Sequence, residues 1–207
     1  TKIALPDSVT SIGKEAFYYC GNLGEVKLPQ NLTDIGDKAF EYCSALENVK
    51  IPAGVKTIGD EAFLGCTNLG SVTILNGVTD IGASAFSSSG LTSIDIPSSV
   101  TNIGKSAFFN CEDLVSVTNM NGVTNIGESA FQNCSGLTNI VIPSSVTNIG
   151  EYAFASCSGL TSIDIPSSVT NIGAFAFASN SGLTSIDIPS SVTSIEKGML
   201  YGCTKLE

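Results

Sequence analysis

The sequence predicts an α/β repeat fold: a solenoid whose short parallel β-strands stack into a sheet on one side, with short helical or 3-10 turns on the other. Three observations predict it. The Ile of an Ile-Gly step recurs at Ile12, Ile35, Ile58, Ile81, Ile103, Ile126, Ile149 and Ile172, and again as Ile195-Glu196, with a spacing of 23 except for one step of 22. A fixed period of this length marks a repeat array, because each unit cannot bury its apolar face alone and must lean on its neighbours. Around each anchor one template returns, seen at full length from Leu160 to Gly182, and an Ala-Phe pair closes eight of its copies. The 207 residues are nine such units, read as a single solenoid over 1–207.

Each element of the coil has its own reason. Leu160, Ile163 and Ile165 are apolar, and Ile163-Asp164-Ile165 alternates with the period of a half-buried strand that Pro166 ends. Copies every 23 residues pair in register as a parallel sheet, about 4.8 Å apart. After the Pro comes a Ser-, Asn- and Gly-rich corner, then a second inward pair such as Val169 and Ile172, read as a second short strand or an extended segment. Asp37, Asp60, Glu61, Glu128 and Glu151 then stand where acids favour the first turn of a helix. This places a one- or two-turn helix through the Ala-Phe-x-x-Cys stretch. Phe17, Phe40, Phe63, Phe86, Phe108, Phe131, Phe154 and Phe177 share one slot, so stacked coils align their rings in a file through the core.

Departures from the template mark where coils differ. Ser87-Ser88-Ser89-Gly90 is one residue short before Leu91, which accounts for the 22-residue step and predicts a local kink. Leu75 and Met120 replace the Pro, each followed by Asn-Gly, a pair suited to positive φ, so these two corners are expected to turn differently. Asn119 falls in an inward slot and needs a hydrogen-bond partner or a local shift of the strand.

Over the whole chain the pattern L-x-x-I-x-I-P-x-x-V-x-x-I-G-x-x-A-F-x-x-C, as in Ile142-Pro143 to Ile149-Gly150 and Ile165-Pro166 to Ile172-Gly173, resembles the BspA-like leucine-rich repeat family. The resemblance implies a leucine-rich-repeat solenoid. It further implies a secreted or surface-attached protein that binds host matrix proteins or neighbouring cells. It carries over no catalytic residue and no binding motif.

Composition excludes several other roles. Nine basic residues, all Lys, stand against nineteen acids for a net charge of −10, which disfavours nucleic acid and anionic membranes as partners. No apolar run is long enough to span a bilayer. His is absent, and with it the commonest general base and metal ligand. Seven cysteines, Cys20, Cys43, Cys66, Cys111, Cys134, Cys157 and Cys203, fill one slot that Asn180 takes in an eighth coil. An odd count in a slot shared with Asn predicts free, buried thiols donating hydrogen bonds to backbone carbonyls, rather than disulfides or zinc. Carboxylates on neighbouring rungs such as Asp164 and Asp187 sit on an open sheet without a lid, so no enzyme, metal or cofactor is expected. The sequons Asn31-Leu32-Thr33 and Asn133-Cys134-Ser135 are read as chance.

The candidate ligand-binding surface is the outward strand face. Its file runs Ala4, Lys27, Lys50, Thr73, Asp95, Thr118, Val141, Asp164, Asp187, from basic to acidic. Lys27, Lys50, Asp95, Asp164 and Asp187 are the candidate binding residues, for a host or bacterial surface protein or glycan. The alternative is a structural spacer that presents another domain, and a remote third is an ice or mineral surface binder using Thr rows. The chain begins within a strand and stops in a tenth coil, so both ends are expected to be cut mid-repeat, with end-to-end self-association a consequence.

Overall fold

The computed structural model describes all 207 residues and contains seventeen short strands and no helix. The first strand of each coil is odd-numbered: β1 (Lys2–Ala4), β3 (Glu25–Lys27), β5 (Asn48–Ile51), β7 (Ser71–Ile74), β9 (Ser93–Asp95), β11 (Ser116–Thr118), β13 (Asn139–Ile140), β15 (Ser162–Asp164) and β17 (Ser185–Asp187). The second is even-numbered: β2 (Ser11–Ile12), β4 (Asp34–Ile35), β6 (Thr57–Ile58), β8 (Asp80–Ile81), β10 (Asn102–Ile103), β12 (Asn125–Ile126), β14 (Asn148–Ile149) and β16 (Asn171–Ile172). The second inward segment is therefore a strand, and the chain is a parallel β-solenoid of about eight turns. All pairs are parallel and step one coil in register, as Asn48↔Ser71 and Ile103↔Ile126 show.

The two sides of the coil differ in continuity. The even strands form one eight-stranded sheet, β2 through β16. The odd strands form three, of four, three and two strands, with gaps between β7 and β9 and between β13 and β15. The first gap follows the shortened corner. In every other coil the Leu N–H there donates to the carbonyl of the Cys slot, as Leu69 does to Cys66 at 2.9 Å, whereas the short corner sends Gly90 N–H to Cys66 of the coil before at 3.3 Å. The predicted kink is thus a break in one sheet, and the Phe86–Phe108 rings above it show the largest tilt of the file, 9°. No deletion accompanies the second gap.

The helical or 3-10 turns expected on the third side are absent, and the backbone shows why. In the second coil Ala39, Glu41 and Cys43 N–H groups donate locally, to Gly36, Lys38 and Phe40 carbonyls at 3.1–3.2 Å. The intervening Lys38, Phe40 and Tyr42 N–H groups instead donate along the solenoid axis, to Asp60, Ala62 and Leu64 carbonyls of the next coil at 2.7–2.8 Å. Lys38 and Tyr42 both have φ of 57°, and the same two positions are left-handed in all nine coils, with glycine there only at Gly65, Gly198 and Gly202. A left-handed residue costs about 1–2 kcal/mol without glycine. Here it swings every second N–H out of the helical path into a carbonyl of the neighbouring coil, so no buried donor is orphaned. At Gly65, where φ is +70°, the Tyr42 ring covers the space that a Cβ would occupy.

Between the three sides lies one continuous core of 56 buried residues. The eight Phe rings stack along it with centroids 4.9–5.7 Å apart and planes within 9° of parallel, and Phe40 through Phe177 are wholly buried. Asn119 is not inward. Its φ of 60° turns it to the surface, and Met120, one residue on, fills the core slot at 3% exposure. That corner keeps the usual Val123 N–H bond to Met120 C=O at 2.9 Å but adds one that no other coil has, Asn121 N–H on Asn119 C=O at 2.7 Å, so it does turn differently, through Asn119 rather than through its Asn-Gly. The Asn76-Gly77 corner departs at its glycine. Gly77 has φ of 139°, and its N–H donates to Ser99 Oγ of the next coil at 3.0 Å.

Candidate functional site

The outward face of the odd strands carries all five candidate residues, and the structure divides them. Lys27, Lys50, Asp95, Asp164 and Asp187 are all exposed. Asp164 and Asp187 lie side by side in register across β15 and β17 and line none of the three main cavities. The other three line grooves. Lys27 and Lys50 flank one of about 540 Å³, floored by Leu28, Pro52, Ala53 and Leu75. Asp95 lines a second of about 430 Å³, with Thr73, Leu75, Asn76, Asn119 and Asn121. Leu75 belongs to both, so the grooves meet at the coil where Pro is missing.

Charge on this face is unevenly neutralised. Glu25 in the first groove is held by Lys2 at 2.5 Å, while Lys27 and Lys50 form no ion pair. Asp95 accepts hydrogen bonds from Thr118 Oγ1 at 2.8 Å and Asn119 Nδ2 at 2.6 Å, both on Oδ1, which leaves Oδ2 for solvent or a ligand. The outward turn of Asn119 is the local shift expected of a polar residue in that slot, and it places the amide on Asp95.

The thiols show a different kind of order. Cys43, Cys66, Cys111, Cys134, Cys157 and Cys203 each donate to the carbonyl of the Phe one coil back, at 3.0–3.2 Å, and Asn180 Nδ2 does the same to Phe154 at 2.9 Å. Cys and Asn share the slot because both supply this donor. All seven thiols are free. The expectation that all are buried fails at the outermost coils, where Cys20 is exposed and Cys203 half-buried, each with a neighbouring coil on one side only. Burial pushes the Cys43 and Cys157 thiols up to about 12 and raises those of Cys66, Cys111 and Cys134. They are hydrogen-bond donors, not nucleophiles.

Sequence reasoning missed one ladder. Asn125, Asn148 and Asn171 each donate Nδ2 to the Oδ1 of the Asn one coil back, at 2.8, 2.7 and 2.5 Å. Beside them Thr hydroxyls at Thr33, Thr79, Thr124 and Thr147 donate to the carbonyl one coil back, at 3.0–3.3 Å. The signal was present as Thr-Asn-Ile-Gly in four successive coils. Identical side chains at one position of a parallel stack have no other partner so well placed.

Elsewhere the buried Glu41 lies 3.6 Å from Lys38, which pairs more closely with Glu61 at 3.0 Å, and burial raises the Glu41 carboxyl above the usual range. No group of His, Cys, Asp and Glu is arranged to hold a metal ion, and no helix is long and apolar enough to cross a membrane.

Comparison with known proteins agrees with this architecture. A leucine rich cell surface protein from Faecalibacterium prausnitzii A2-165 is 31% identical, with a TM-score of 0.55 over 100% of this chain and 71% of that one. A leucine-rich repeat protein from Bacteroides ovatus ATCC 8483 is 28% identical, with a TM-score of 0.57 over 100% and 77%. The T. pallidum leucine rich repeat protein, 24% identical with a TM-score of 0.62 over 100% and 78%, shares the fold. No curated protein matches the chain. These relatives are repeat proteins rather than members of enzyme families. The BspA type leucine rich repeat region, in six copies, matches residues 1–115 and 101–207, and with the whole chain accounted for by that repeat, this protein belongs to the BspA-type leucine-rich repeat family.

Proposed function

We propose that this protein is a non-enzymatic binding module of a cell-surface or secreted protein, engaging a protein or glycan of a host or a neighbouring cell through the outward face of its odd strands. One observation carries the reading: Lys27 and Lys50 form no ion pair beside one groove, where Glu25 is paired with Lys2, and Asp95 keeps a free Oδ2 beside the next. Like charges on neighbouring rungs repel one another, and an anionic group bound between Lys27 and Lys50 relieves that repulsion. The description of the Faecalibacterium relative as a cell surface protein supports the location.

Binding to immobilised matrix proteins and to glycan arrays tests it. Saturable binding that disappears when Lys27, Lys50, Asp95, Asp164 and Asp187 are reversed in charge is the expected result. Absence of saturable binding, or binding indifferent to these reversals, rejects it.

A spacer role has one observation in its favour, the near identity of the coils from Leu137 to Gly182, which repeat Ile-Pro-Ser-Ser-Val-Thr-Asn-Ile-Gly without variation. A site needs rungs that differ, and these do not. If reversing the five charges leaves binding intact while shortening the array abolishes it, the spacer reading replaces the first.

A further inference from the structure

We propose that the joined grooves over β3 to β11 bind an extended polypeptide carrying an acidic side chain and, four residues away, a basic one, with an apolar side chain midway. The inference rests on the binding-module reading and names the ligand of that same face.

The geometry sets both chemistry and spacing. Lys27 and Lys50 occupy the same outward position on β3 and β5, one rung or about 4.8 Å apart, so one carboxylate seated between them meets both ammonium groups. Thr73 follows on β7 and Asp95 on β9, in the same file. From the midpoint of the two lysines to Asp95 is two and a half rungs, about 12 Å. An extended chain laid along the solenoid axis advances about 3.3 Å per residue, so residues i and i+4 span about 13 Å and point to the same side. Residue i+2 then lies over Thr73 and the half-buried Leu75, the residue the two grooves share. Asp95 Oδ2 is free to accept from the basic side chain, because Thr118 and Asn119 both bond to Oδ1 and fix the carboxylate's orientation. The amides of Asn76 and Asn121 and the hydroxyl of Ser98 rim the second groove, where they can meet the ligand backbone. A uniformly acidic polymer suits the first groove but is repelled by the second.

The geometry also identifies the competing occupant. Asp164 and Asp187 are spaced by one rung, as the two lysines are, so a second copy of the chain in antiparallel orientation offers the lysines the same charge complement.

The test uses seven-residue peptides with acid and base at i and i+4 and Val at i+2, read by fluorescence polarisation. Controls place the charges at i and i+1, use two acids, or use none. The expected result is selective binding of the i, i+4 peptide, weakened by salt, and about tenfold weaker for K27E/K50E and for D95K, since each removes exposed pairs worth a few-fold apiece. Because an extended peptide can lie either way along the groove, the triple swap K27E/K50E/D95K is expected to regain binding, which a folding defect would not permit.

Equal binding of all spacings, or no effect of the charge variants, overturns the proposal. So does binding of heparin that is lost in K27E/K50E but unaffected or strengthened in D95K, which assigns the face to an acidic glycan. Concentration-dependent dimers abolished by D164K/D187K assign it to a second copy and also overturn the proposal. If no peptide binds but matrix protein still does, and that binding needs the five charges, the peptide inference fails while the binding-module reading stands.

Discussion

The even-strand sheet runs unbroken through eight strands, while the odd-strand sheet, built by the same coils, is interrupted twice. Both sheets cross the shortened coil, yet only one breaks there. The missing residue lies between Ser89 and Leu91, immediately ahead of β9, so its effect falls on the odd strands before the chain regains its phase at Ile94. By β10 the spacing of Asn102 and Ile103 from Asp80 and Ile81 is normal in three dimensions, with Gly104 N–H on Ile81 C=O at 2.9 Å. The even side also has what the odd side lacks, the Asn and Thr ladders that link coil to coil outside the backbone. The lesson is a division of labour: a side fixed by repeated bonds lets the other vary, and the varied side holds the grooves.

The sharpest test of that division compares two single-residue deletions. Removing Asn68 shortens the third coil's corner just as nature shortened the fourth, and is expected to cost no more than about 2 kcal/mol, within the range of ordinary single changes. Removing Asn148 shifts Ile149 to the wrong face of the even sheet, and is expected to abolish cooperative folding of the coils beyond it. Circular dichroism melts of the two proteins separate these outcomes, and equal effects would erase the distinction between the sheets.

The Phe file joins both sides, so Phe131→Ala, which empties a wholly buried slot between Phe108 and Phe154, is expected to cost about 3–5 kcal/mol in chemical denaturation. Next in size is an alkaline effect. Burial holds the Cys157 thiol at about 12, against about 8.5 for an unfolded cysteine, so the folded state keeps a proton that the unfolded state releases. Its contribution is complete below about pH 8.5 and is lost as pH rises toward 12, by about 1.4 kcal/mol per pH unit. Denaturation between pH 9 and 11 is expected to show a shallower loss in Cys157→Ala than in the parent protein. The smallest effects return to the two sheets: Asn125→Ala, which removes a donor to Asn102 and an acceptor for Asn148, is expected to cost about 1 kcal/mol, while Ser116→Ala on the odd sheet costs nothing measurable.

The period, the parallel strands, the Phe file and the Cys carbonyl bonds were legible in the sequence, because each follows from residues that recur in one slot. The turn side was not. Its left-handed residues include Lys38, Tyr42, Glu61 and Phe175, none of which announces positive φ, since the conformation is imposed by carbonyls of the next coil rather than by local preference. Acids placed as for a helix start were a misleading cue for the same reason. The site was half legible: alternation put Lys27, Lys50 and Asp95 outward, but the grooves depend on how the Leu75 corner turns and on the reversal at Asn119, and neither shows in a pattern of residue types.

The axial direction of the bonds on the turn side bears on how the molecule responds to load. Every coil is joined to the next by hydrogen bonds lying along the long axis, three of them from the turn segment alone, and a pull on the two chain ends meets them head-on, one coil at a time. Such a stack peels rather than shears. Each coil set free pays out its 23 residues, roughly 80 Å of slack, before the next one bears the tension. A protein tethered between two surfaces in flow would therefore lengthen in steps and absorb work while its remaining coils stay folded.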